Sequence, residues 1–166
     1  MLSIVAVLDK EMTKVPTKLQ LDAFKDMNIK DICSCEFRND ADNHCAHFVS
    51  HAMGFSFGYT CKSMTGKGKL GASIRVHEVF AMCGDVGAWA DRAKTSGLVF
   101  VTSSKYVDVA KKTMINVPKK HIGIYLDNSI WHYSNTKDKV VVQMPDAFAH
   151  HYTGKDIAMF FGTFPK

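Results

Sequence analysis

The sequence predicts an α+β fold in which N-terminal helices pack on a C-terminal antiparallel β-sheet. Apolar residues recur at helical spacing in the first half of the chain, whereas short apolar runs bounded by turn residues follow Gly97. At 166 residues the chain is long enough for one domain with its own core. We therefore expect a single domain, with a helical part over about residues 1–95 and a sheet part over about residues 96–166.

The composition is typical of a globular protein, with 46% hydrophobic and 22% charged residues, and it predicts no membrane span. The net charge is +5, but the lysines form no dense tract, so nucleic acid is not an expected partner. No basic segment precedes the apolar start of the chain, and no signal peptide is visible. We expect a cytoplasmic protein, or one exported to the cell wall by a dedicated route.

Three helices are predicted in the first half. The first lies within residues 16–27, and the second begins near His44, after the cap-forming stretch 39–43. A long loop over 54–71 leads to a third helix at about 73–82. The G-x-G-x-x-G match inside that loop follows no strand, so it does not predict a dinucleotide site.

The second half predicts five strands of a meandering antiparallel sheet. Two helices, Tyr106–Met114 and Pro145–His151, are expected to connect strands. The predicted strands are Leu98–Thr102, His121–Leu126, Ile130–Ser134, Val140–Gln143 and Ile157–Thr163.

The second helix carries two stripes of residues. Cys45 lies in its first turn on the apolar stripe, and His44, His47 and His51 form the other stripe. The spacing of His47 and His51 suits zinc, but no Glu follows His47 as in zinc peptidases and no other ligand cluster is apparent. We interpret the stripe as a solvated polar face and predict neither a metal nor a cofactor.

Cys45 is the candidate nucleophile. A helix N-terminus and a nearby imidazole together lower the pKa of a thiol enough to supply a thiolate. The helix supplies the first condition, and its Cys45 N–H is a candidate donor to an oxyanion. His121, which opens a predicted strand, is the candidate base.

The turn after this strand decides which residue orients His121. A two-residue loop at Asp127-Asn128 pairs Leu126 with Ser129, Gly123 with His132 and His121 with Ser134, so His132 becomes the third member of the site. A three-residue loop instead brings Asn135 opposite His121, which makes Asn135 the second choice.

The order of these segments resembles the NlpC/CHAP superfamily of papain-like cysteine peptidases and amidases. The resemblance spans about residues 43–164 and rests on the helix-borne Cys45, the Gly-Leu-Val-Phe-Val run at 97–101, His-Ile-Gly-Ile-Tyr-Leu at 121–126 and Ile-Trp-His at 130–132. It implies a papain-like fold and cleavage of amide bonds in peptidoglycan, with Cys45, His121 and His132 as catalytic residues. Where those peptidases usually have Asp-Cys-Ser-Gly, this chain has His-Cys-Ala-His.

The expected function is therefore a peptidoglycan stem-peptide amidase or endopeptidase that forms an acyl-enzyme on Cys45. Its expected partners are peptidoglycan or its stem peptides, with a delivery or inhibitor (immunity) protein. Asn-His-Cys-Ala-His-Phe-Val at 43–49 also resembles the Asn-Cys-Glu-His-Phe-Val of lecithin-retinol acyltransferase relatives, which supports a lipid or protein acyl hydrolase or acyltransferase as the alternative. Those relatives place their histidines before the cysteine. A non-catalytic binding module is the third reading.

Overall fold

A computed structural model describes residues 15–34, 43–54, 74–92 and 95–165 of the chain. The helices are Lys18–Phe24 (α1), Ile29–Ile32 (α2), Cys45–Ala52 (α3), Val76–Met82 (α4) and Pro145–Ala149 (α5). The strands are Val86–Ala88 (β1), Ser96–Ser103 (β2), Val107–Asp108 (β3), Thr113–Met114 (β4), Lys120–Leu126 (β5), Ser129–Ser134 (β6), Lys139–Gln143 (β7) and Ile157–Gly162 (β8). The predicted cap at 39–42 and nearly all of the predicted loop at 54–71 lie outside the described residues.

Six of the strands form one sheet in the order β1-β8-β2-β5-β6-β7, and each neighbouring pair is antiparallel. The predicted α+β class with an antiparallel sheet is confirmed. The five predicted strands all occur, and their ends agree within two residues. The boundary between a helical and a sheet part is less sharp than expected, because β1 joins the edge of the sheet from within the part predicted to be helical. Within the described ranges, the helices are too short to cross a bilayer.

Each face of the sheet is covered by a different helix. On one face, α3 packs its Phe48 and Val49 against a core that includes Trp131 and Tyr133. On the other face, Phe148 of α5 packs with side chains of β2, β5 and β6. Since strand residues alternate between faces, His121 and His132 belong to the α5 face, where both rings contact Phe148.

The turn between β5 and β6 has two residues, as the first of the two alternatives predicted. Asp127 and Asn128 have φ of 46° and 67°, and Leu126 pairs with Ser129. Paired positive φ values produce a turn whose twist matches that of the flanking strands. The three-residue alternative is therefore wrong.

The predicted helix at Tyr106–Met114 is also wrong. A single 3-10 turn at Ser104–Tyr106 leads into the β3–β4 hairpin. The Asp108 carboxylate accepts a hydrogen bond from the Lys111 N–H, and Lys112 has a φ of 55°. An Asx-type bond and a positive φ favour a turn over continued helix. The other predicted connector is a short helix, α5.

Candidate active site

Two asparagine side chains hold the start of α3. The Asn43 Oδ1 accepts the Cys45 N–H at 3.0 Å, and the Asn135 Oδ1 accepts the His44 N–H at 3.1 Å. Both bonds satisfy amides that have no partner inside the helix. Asn135 therefore anchors α3 to the end of β6 instead of orienting His121, and the candidate oxyanion donor at Cys45 is occupied by Asn43.

The Cys45 sulfur is buried and lies against main-chain amides. The N–H groups of Ile122 and Ala46 donate to it, and both favour the thiolate, as do the charges of Lys120 and Arg75. Burial opposes these contacts and dominates, so it raises the pKa of the Cys45 thiol to about 11. The thiol is protonated at neutral pH.

A cavity of about 360 Å³ opens beside Cys45. Its lining includes Asn43, Arg75, Asn116 and Lys120 together with apolar side chains such as Pro118. The Lys120 Nζ donates to the Asn116 Oδ1 at 2.8 Å, which holds its charge at the wall of the cavity. Arg75 and Lys120 bring two positive charges to this cavity, and the buried Glu78 carboxylate, which accepts the Arg75 N–H, offsets part of them.

A chain of hydrogen bonds, the relay, links His121, His132 and Gln143. The His121 Nε2 lies 2.8 Å from the His132 Nδ1, and the His132 Nε2 lies 2.7 Å from the Gln143 Oε1. An amide oxygen only accepts, so the His132 Nε2 carries a proton and donates it. In neutral His132 the Nδ1 then accepts from the His121 Nε2–H. This order leaves the His121 Nδ1 with a lone pair.

The His121 Nδ1 is buried and has no hydrogen-bond partner among the described residues. Burial lowers the pKa of His121 well below its usual value, and the charges of His132 and His151 lower it further. Burial likewise lowers the pKa of His132 to about 4. The His151 ring stacks on His121 with centroids 3.9 Å apart and covers it. Both relay imidazoles are therefore neutral at pH 7.

No hydrogen bond joins the Cys45 sulfur to His121 in the part of the chain that the structure describes, and the two residues are connected through the start of β5. One of the two amides that contact the Cys45 sulfur belongs to Ile122, the residue next to His121 in the chain. The Cys45 side chain belongs to the core on the α3 face, whereas the His121 ring lies on the α5 face. Burial raises the pKa of Tyr152, which packs on the α5 face, and a thiolate at Cys45 would raise it further. Catalytic hydrogen bonds are often long before substrate binds.

The histidine stripe of α3 was predicted to be a solvated face, and that prediction is wrong. His44 and His47 are buried, and His51 is half-buried. The His47 Nδ1 lies 3.0 Å from the His44 Nδ1, and its Nε2 lies 3.2 Å from the His51 Nε2. Burial lowers the pKa of His47 to about 3. We call these three residues the α3 histidine cluster.

Sequence reasoning missed three residues of the site. Gln143 lies on the same face as His132, diagonal to it on β7, and a polar residue at the end of an apolar run was the available signal. Arg75 and Lys120 meet only because the N-terminus of α4 approaches the start of β5. No local pattern in the sequence indicates that meeting.

Comparisons of the chain with protein-family models, with curated proteins and with solved structures found no match.

Proposed function

We propose that this chain is a cysteine hydrolase of amide bonds, in which Cys45 is the nucleophile and His121 the base. His132 and Gln143 act as positioning residues. The observation that carries the proposal is the proton order of the relay, which leaves a bare Nδ1 on His121, the residue before Ile122, whose N–H contacts the Cys45 sulfur. A general base needs a free lone pair within reach of the proton that it takes, and the neutral His121 Nδ1 supplies the lone pair.

The first half of the reaction starts from a neutral thiol and a neutral imidazole. The His121 Nδ1 takes the Cys45 proton as the sulfur attacks the carbonyl carbon, and a thioester forms when the C–N bond breaks. The amine leaves with the proton from the His121 Nδ1. The positive charge that develops on His121 is shared with His132, whose Nδ1 accepts the Nε2–H.

Water then hydrolyses the thioester, and His121 again moves the proton. The tetrahedral oxyanion is bound by the Cys45 N–H once the substrate displaces the Asn43 side chain, which lines the same cavity. Ile122 and Ala46 keep their N–H groups on the sulfur. They stabilise the thiolate as it forms.

We propose peptidoglycan stem peptides as the substrate class. Their side chains and C-termini carry carboxylates, which complement Arg75 and Lys120 beside Cys45. The resemblance of the Cys45, His121 and His132 segments to the NlpC/CHAP superfamily supports the same class. An acyl hydrolase of lipids calls for an open apolar groove, and the Phe48 and Val49 that follow Cys45 are instead buried in the core.

The test is mass spectrometry of purified sacculi and of isolated muropeptides incubated with the protein. We expect new amine and acid termini with the wild type and none with Cys45→Ala or His121→Ala. Cys83→Ala is the matched control, because Cys83 is also a buried thiol whose pKa burial raises, and it should cleave as the wild type does.

Other outcomes separate the remaining functions. Release of fatty acid from lipid or acylated protein, with muropeptides intact, would replace the wall substrate with an acyl one and keep the Cys45 chemistry. A Cys45 whose alkylation rate is unaffected by His121→Ala, together with no cleavage of any of these substrates, would establish a binding module.

A further inference from the structure

Three side chains away from the relay converge on one point between α2 and α3. Cys33 follows the last residue of α2, and His47 and His51 lie one turn apart on α3. The cysteine sulfur and one ring nitrogen of each histidine all lie within 4.8 Å of one another. Cys33 and His47 are buried and His51 is half-buried, so the group lies at the junction of the two helices.

We propose that Cys33, His47 and His51 bind a zinc ion. In a tetrahedral zinc site, two imidazole nitrogens lie about 3.3 Å apart and a nitrogen and a thiolate about 3.6 Å apart, given the usual bond lengths. The Nε2 atoms of His47 and His51 are 3.2 Å apart, which is close to that separation. The sulfur reaches bonding distance by a small movement.

His44 supplies the outer contact that a zinc-binding histidine normally has. The His47 Nδ1 lies 3.0 Å from the His44 Nδ1, and the His44 ring packs edge-on against Tyr133, with centroids 5.9 Å apart. When His47 donates its Nδ1–H to His44, its Nε2 lone pair faces His51 and Cys33. Such contacts fix the tautomer and the orientation of a ligand ring.

The ligand types select the metal. One thiolate and two imidazoles form a borderline-soft set that favours zinc over magnesium or calcium, which prefer oxygen ligands. The described residues supply three of the four tetrahedral positions. The ion would tie α2 to the helix that presents Cys45, and a fourth protein ligand would close the site as in structural zinc sites. The inference does not rest on the proposed function.

The test is zinc binding by the purified full-length protein after removal of metal with a chelator. We expect one zinc per chain by elemental analysis, and competition with a chromophoric indicator gives the affinity. X-ray absorption should detect one sulfur and two imidazole nitrogens. Zinc should also protect Cys33 from alkylation, as mapped by mass spectrometry, without changing the labelling of Cys83.

The variants Cys33→Ser and His51→Gln identify the ligands. Loss of an outer contact at a metal site lowers affinity by about 10- to 100-fold, so we expect a loss of about 100-fold or more for each ligand. His51 is half-buried, so His51→Gln is the milder change for folding, and circular dichroism checks both variants. Cys83→Ala and His150→Gln are controls that should bind as the wild type does.

Cobalt in place of zinc gives a thiolate charge-transfer band that reports the cysteine directly. We expect the band in the wild type and in Cys45→Ala, and not in Cys33→Ser. Absence of stoichiometric zinc, wild-type affinity in both ligand variants, or a band that depends on Cys45 instead of Cys33 would overturn the proposal. Protection of Cys33 in the wild type requires no variant, so the proposal stays testable if a variant fails to fold.

Discussion

The protein contains two buried groups of histidines, and they differ in what lies at the end of each. The relay runs from His121 through His132 to the Gln143 carboxamide oxygen. The α3 histidine cluster runs from His44 through His47 to His51 and meets the Cys33 sulfur. Burial lowers the pKa of His132 and of His47 alike, so neutral imidazoles by themselves do not distinguish the two.

The terminal group decides the chemistry. The Gln143 Oε1 only accepts hydrogen bonds, so it fixes the position of every proton along the relay. The lone pair that remains is on the His121 Nδ1, and such a lone pair suits a base. In the α3 histidine cluster, ring nitrogens from adjacent turns converge with a thiol, the arrangement of a metal site. Four predictions test this contrast, from the largest expected effect to the smallest.

Cys45 and His121 should act as one unit. We expect Cys45→Ala and His121→Ala each to lower kcat by about 10⁴-fold or more, because either change removes the only route to a thiolate. The double variant should be no slower than the slower single variant. Muropeptide cleavage followed by mass spectrometry measures all three. If the two losses multiply in the double variant, the two residues act independently. That result would contradict the assignment of His121 as the base for Cys45.

Acid should destabilise the fold through His132. Its folded pKa of about 4 lies below the unfolded value of about 6.5, so the unfolded chain binds the proton first and stability falls as pH falls from about 6.5 to about 4. The loss amounts to about 3 kcal/mol at about 1.4 kcal/mol per pH unit. Urea unfolding at several pH values measures it.

The matched variant for this prediction is His132→Gln. The free energy of unfolding of this variant should depend less steeply on pH than that of the wild type. Between about pH 6.5 and about pH 4 the variant should take up one proton fewer on unfolding, because it has no imidazole at position 132. Equal slopes would mean that His132 titrates normally in the folded protein.

The Gln143 side chain should raise the activity by holding His132 in one tautomer. We expect Gln143→Met to lower kcat by about 10- to 100-fold with KM little changed, a smaller loss than the roughly 10⁴-fold that removal of a triad's third member costs. Gln143→Glu should restore much of kcat, and its charge should raise the pKa of His132 and move the acid limb of the rate profile to higher pH. A purely structural role predicts no shift of the limb.

Asn135 should contribute to stability without entering the relay. Asn135→Ala removes the acceptor of the His44 N–H, so we expect a loss of about 1 kcal/mol in the free energy of unfolding. The acid limb of the pH–rate profile of this variant should lie at the same pH as in the wild type. A moved limb would reinstate Asn135 as a residue that orients His121.

The features that could be predicted from the sequence depend on neighbouring residues. Asp127 and Asn128 tolerate positive φ, which selects a two-residue turn and thereby brings His132 beside His121. Gly123 contributes to the same approach, because a Cβ there would lie 2.6 Å from the Ile130 Cγ2 and 3.2 Å from the His132 Cβ. The strands of the meander and the start of α3 at Cys45 follow similarly from periodicity.

The main feature that we predicted wrongly from the sequence, the exposure of the α3 histidines, depends on contacts with residues that are distant along the chain. The histidine stripe of α3 follows the polar pattern of a solvated face, but Cys33 and Tyr133 lie against it, 14 and 86 residues from His47 along the chain. The wrong helix at 106–114 has a local cause instead, because the Asp108 side chain accepts the nearby Lys111 N–H and supports a turn.

The sequence by itself determined the fold class and the positions of Cys45, His121 and His132 on their elements, and it limited the β5–β6 register to two alternatives, because local backbone preferences and periodicity control these features. Tertiary structure alone decided which groups share a low-dielectric site. It placed Gln143 on the relay, Arg75 and Lys120 beside the thiol, and Cys33 against the α3 histidine cluster. The burial and the proton order of these groups arise only when packing brings them together. They cannot be predicted from the periodicity of a single segment.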